Sequence, residues 1–95
     1  MAGTVKTMKF SGRETSVLRA IDFATGTLGA EVLVKTHIDA FDALDILNSL
    51  VDAGYIESNP APPDQEPIKL KDFYHTRFEV NPAYAHELKK TFIRS

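Results

Sequence analysis

Residues 39–57, DAFDALDILNSLVDAGYIE, read as a helix of about four turns, a glycine stop and a strand that leaves at once. At about 100° per residue, Ala40, Ala43, Leu44, Ile46, Leu47, Leu50, Val51 and Ala53 fall within an arc of about 180°. The opposite arc holds Asp42, Asp45, Asn48, Ser49 and Asp52, with Phe41 at its edge. Asp39 is a good N-cap, and Asp42 sits in the first turn, where the helix dipole favours an anion. Gly54 supplies the left-handed residue that ends the helix, and Tyr55 and Ile56 suit a strand. A helix buried on half its circumference is the central support of a small core.

Upstream, Ser11 and Glu14 have capping-box spacing and open a first helix, SGRETSVLRAIDFA, over residues 11–24. Its buried stripe is Val17, Leu18 and Ile21, with Phe23 or Ala24 at the end, and Thr25-Gly26-Thr27 breaks it. Residues 28–38, LGAEVLVKTHI, are short and apolar. Val32 and Val34 leave a strand open there, but abutment with the next helix favours a second helix, with Thr36-His37-Ile38 as the turn. Residues 1–10 alternate weakly and form an arm or a short edge strand, ahead of a single domain over 11–95.

Downstream, SNPAPPDQEP places four prolines in ten residues and forbids a helix or a central strand. IKLKDFYHTRFEV then alternates at Ile68/Leu70 and again at Phe78/Val80. The expectation is a hairpin partner strand over residues 76–80, reached through a long, partly extended wing over residues 59–75. Asn81 caps a last helix with Pro82 at its first position, and Tyr84, Leu88 and Phe92 recur along it at i, i+4 and i+8.

Helix, short helix, capped third helix, L-x-x-L-V-D-A-G-Y-I-E, proline-rich wing, strand and N-P-started helix together resemble the winged helix-turn-helix superfamily. Leu47, Leu50, Gly54, Tyr55 and Ile56 carry the pattern. The front portion, FSGRETSVLRAID, is similar to small bacterial winged-helix domains of unknown function attached to signalling proteins. The resemblance covers residues 10–93 and implies an α+β winged-helix fold: a three-helix core, a small antiparallel hairpin wing and an additional C-terminal helix. Many members of the superfamily bind DNA through the third helix and wing, while others contact proteins or dimerise. The third helix here departs from the DNA readers, for it has no Arg or Lys.

Charge sharpens that departure. The chain of 95 residues has 11 Lys and Arg against 13 Asp and Glu, but they are segregated. Residues 36–68 contain Asp39, Asp42, Asp45, Asp52, Glu57, Asp64 and Glu66 and not one Lys or Arg. Base readout needs Arg, Lys, Asn or Gln on the inserted helix, and here Asn48 and Ser49 stand among acids. Lys69, Lys71, His75 and Arg77 on the wing form a candidate nucleic-acid patch, or are surface charges that protect strand edges. The alternative is a partner-binding face of Phe41, Asp42, Asp45, Asn48 and Asp52, an aromatic ringed by acids and suited to a basic protein. Phe41 either stays exposed as that anchor or folds back onto the preceding turn. Tyr84, Leu88 and Phe92 either close the core or form a dimer face; a domain this small favours the core.

Signals for catalysis are weak. His37, His75 and His86 lack metal-ligand spacing, there is no cysteine, and Gly26 and Gly29 do not belong to a phosphate loop. Asp42 and Asp45 share a helix face, which more often marks a solvated surface than an acid–base pair. The expectation is a non-enzymatic, cofactor-free, metal-free cytoplasmic module whose partner is a protein, itself or DNA, with no small molecule or membrane implied.

Overall fold

The computed structural model describes residues 10–93. Its elements run α1 (Gly12–Ala20), β1 (Thr27–Leu28), α2 (Gly29–Thr36), α3 (Ala40–Asp52), β2 (Ile56–Asn59), α4 (Leu70–Phe73), β3 (Arg77–Val80) and α5 (Pro82–Ile93), with a 3-10 turn at Pro63–Gln65. This is a small α+β domain with an antiparallel sheet in the order β1-β3-β2. β2 pairs with β3 from Ile56↔Val80 to Asn59↔Arg77, and Thr27 pairs with Phe78 on the other edge of β3.

The local signals act as the residues require. The Ser11 hydroxyl accepts from the Glu14 amide, and the Glu14 carboxylate accepts from the Ser11 amide at 2.8 Å. Asp39 caps α3 by accepting from the Phe41 amide at 3.0 Å. Gly54, at φ +90°, lets the chain reverse, so that the Tyr55 amide reaches the Leu50 carbonyl and β2 can begin. Asn81 accepts from the Ala83 amide at the start of α5, and its own side-chain amide donates to the Gly54 carbonyl at 2.8 Å. One residue thereby starts α5 and ties it to the end of α3.

Val17 and Leu18 of α1, Val32 of α2, Leu47 and Leu50 of α3, Phe78 of β3 and Leu88 of α5 are buried together in one core. Tyr55 extends it at the edge, its ring meeting Phe10 at 5.2 Å and Tyr84 at 5.0 Å between centroids.

Three expectations are corrected. The first helix stops at Ala20 rather than residue 24, because the Asp22 carboxylate accepts from the amides of Ala24 and Thr25. Those amides are bound in a turn that competes with the helix. Second, Thr27 and Leu28 form a strand that was not anticipated before α2. Third, residues 59–75 are not merely an extended wing: they include α4 and return to the body. Phe73 and Ile68 are buried, and the Gly29 amide donates to the Thr76 carbonyl at 2.9 Å. A side chain at Gly29 would collide with Phe73, so the approach of α4 to α2 requires glycine there. Residues 1–9, assigned to the arm or edge strand, lie outside the described residues.

Candidate functional site

The polar residues of α3 meet different surroundings. On the side toward α1, Asp42 accepts from the Arg13 guanidinium at 3.0 Å, an ion pair exposed at both ends. Asp45 and Asp52 are exposed, and Ser11, Arg13, Glu14, Asp42, Asp45, Ile46 and Ser49 line a shallow depression between the two helices. Phe41 is 67% exposed, which settles its two readings in favour of the outward one. Asp42 is thus tempered by Arg13, while Asp45 and Asp52 project their charge into solvent.

Asn48 shares the face of Phe41, Asp45 and Asp52, and there it departs from expectation. Instead of facing outward, it is half-buried and clamps the backbone of Ile68: its side-chain amide donates to the Ile68 carbonyl at 3.1 Å and its oxygen accepts from the Ile68 amide at 2.8 Å. Each end of the amide makes one bond to Ile68, so Asn48 is held to its own chain and not extended into solvent, with one N–H and one oxygen lone pair left over. A helical wheel cannot register this, because the covering segment is 20 residues away.

Lys69, Lys71 and His75 come together around one cavity of about 370 Å³, whose wall is made by the proline-rich segment, Ile68 and Thr76. Glu66 and Asp72 share its lining, so the cluster is of mixed sign. Arg77 is not part of it; on β3 it donates to the Thr25 carbonyl at 3.3 Å, beside β1. The four bases therefore do not make a single patch.

At the C-terminus, Leu88 is fully buried and cannot be a dimer contact, and Tyr84 is half-buried against Tyr55. Leu88 and Tyr84 thus pack into the core, the reading that a domain this small favours over a dimer face, and the Phe92 side chain lies outside the described residues. Two exposed apolar residues escaped the sequence reading, Val34 at 73% and Tyr74 at 38% exposure. Val34 reads as core from composition, and only its position on the outer face of α2 shows otherwise.

Among the described residues no cluster of His, Asp and Glu is arranged to hold a metal, and no helix is long and apolar enough to cross a membrane. No family model, curated protein or solved structure matches the chain.

Proposed function

We propose that the chain is a non-enzymatic winged-helix module that makes protein contacts, in the setting of bacterial signalling or transcription, through the acidic face of α3. The winged-helix reading draws support from the succession α1–β1–α2–α3–β2–α4–β3 and the sheet order β1-β3-β2, which suit a helix-turn-helix backed by an antiparallel strand pair, with α4 inserted between the two strands. The observation that carries the functional reading is the exposed surface of α3. Phe41, Asp45 and Asp52 stay in solvent on the face that also bears Asn48, whose side chain is held by the chain's own residue 68. A helix entering the major groove would bring those carboxylates toward phosphates, each pair repelling by about 0.5–1 kcal/mol even at the dielectric of water. A basic protein surface meets the opposite sign and gains an aromatic anchor at Phe41.

A second reading, a DNA-binding regulator that uses the segment after β2, is favoured by the convergence of Lys69, Lys71 and His75 on one cavity. The two readings give opposite signs in one experiment. Changing Asp42, Asp45 and Asp52 together to Asn weakens binding to a basic protein and flattens its salt dependence in the first. In the second it strengthens binding to duplex DNA, and Lys69→Ala with Lys71→Ala weakens that binding on every sequence.

A further inference from the structure

β2 is an outer strand, for the sheet runs β1-β3-β2. Its register shows which of its backbone groups are free. On one side of β3, Thr27 pairs with Phe78 and the Gly29 amide donates to the Thr76 carbonyl, so Thr76 and Phe78 turn their polar backbone groups toward β1. On the other side, the Asn81 amide donates to the Tyr55 carbonyl. The same register carries that bonding on to Glu57 with Glu79 and to Asn59 with Arg77. Ser58, opposite Phe78, therefore directs its N–H and C=O away from β3, where no described strand meets them.

That free edge opens beside a cleft of about 580 Å³, which Ser58 lines together with Ser49, Val51 and Asp52 of α3 and with Pro62 and Glu66 of the proline-rich segment. The segment is returned to α3 by the Asn48 clamp on Ile68, so the cleft has a wall on each side. Charge decides what fits. Among the described residues that line the cleft there is no Lys, Arg or His. Lys69, Lys71 and His75 line the neighbouring cavity instead. Asp52 and Glu66 are exposed, and neither has a cationic partner among the described residues. Asp52 is also the last residue of α3, whose final turn carries no base, so it stands at the end of the helix dipole that favours a cation.

We propose that an extended segment of a partner protein pairs its backbone with Ser58 along the outer edge of β2 and sets a Lys or Arg side chain between Asp52 and Glu66. The aliphatic stem of that side chain rests on Val51 and Pro62. The proposal rests on the protein-contact reading of α3 and names the form of the partner, a strand with a basic side chain. Strand addition of this kind draws affinity from main-chain hydrogen bonds and specificity from the pockets beside the edge.

The test is a titration of the full chain, followed by backbone amide shifts in NMR, with an end-capped alternating Val/Lys peptide of about seven residues. One control carries acetylated Lys, which removes the charge and keeps the stem. The other is N-methylated along its backbone and cannot donate to the edge. Shifts are expected at Ser49, Asp52, Ser58 and Glu66, with both controls binding at least about tenfold more weakly. Asp52→Asn and Glu66→Gln, at exposed sites, are each expected to weaken Val/Lys binding about two- to fivefold. Equal binding of either control, no shifts up to about 1 mM peptide, or shifts that miss Ser58 overturn the proposal. Shifts confined to Phe41, Asp42 and Asp45, with Glu66→Gln unchanged, overturn it and leave the acidic-face reading of α3 standing. If the triple Asp→Asn protein and Glu66→Gln both bind as tightly as wild type, both readings fall. A concentration-dependent dimer that the peptide disperses assigns the edge to a second copy of this chain and overturns the proposal as well.

Discussion

Asn48 shows how a single side chain redirects the account. By its angle on α3 it belongs with Asp45 and Asp52, yet both ends of its amide are bound to Ile68. Asn48→Ala leaves a buried backbone amide and carbonyl unpaired and is expected to cost about 1–3 kcal/mol. Thermal unfolding should record that loss, and hydrogen exchange should show faster exchange at Ile68 than in wild type. Leu47 and Leu88 are simpler, since both are fully buried. Leu47→Ala is expected to cost about 2–5 kcal/mol through the lost transfer energy and the cavity left behind. Leu88→Glu should abolish folding rather than dissociate an oligomer, as circular dichroism would show. Leu47 was legible because its neighbours repeat with helical period. Asn48 was not, because its partner is fixed by tertiary packing.

At the scale of the element, legibility followed the range of the signal. The Ser11 and Asp39 caps, the Gly54 stop and the Asn81-Pro82 start are settled within a few residues, and the structure has each where the sequence places it. β1 is too short for a period to register, and α4 is a single turn whose apolar residues mimic strand alternation. Both owe their conformation to distant partners: β1 to β3, and α4 to the burial of Phe73 beside Gly29. Gly29→Ala should therefore destabilise by about 1–3 kcal/mol, the usual cost of overpacking. The turn that ends α1 carries a pH signature. The amide of Ala24, and then that of Thr25, hold the Asp22 carboxyl below its ordinary value of 3.8. A carboxyl with a depressed folded pKa contributes stability above its unfolded value, and that contribution fades as pH falls through the folded one. A comparison of thermal midpoints against pH should show Asp22→Asn less stable than wild type at neutral pH, the gap closing below about pH 4.

Across the whole molecule, the acidic residues of 36–68 and the segment clamped by Asn48 decide between partners more than the fold does. A small α+β domain can host either DNA or protein contacts, so function must be argued from the surface of α3. That surface is acidic and carries the exposed Phe41. The most direct test titrates wild type and the Asp42→Asn, Asp45→Asn, Asp52→Asn triple variant against labelled duplex DNA at about 0.15 M salt, where surface charges are screened beyond about 8 Å. Wild type is predicted to bind no better than non-specifically, with Kd weaker than about 1 µM on every sequence. Tight, sequence-selective binding by wild type would contradict the assignment of α3 to a protein partner, whatever the variant does.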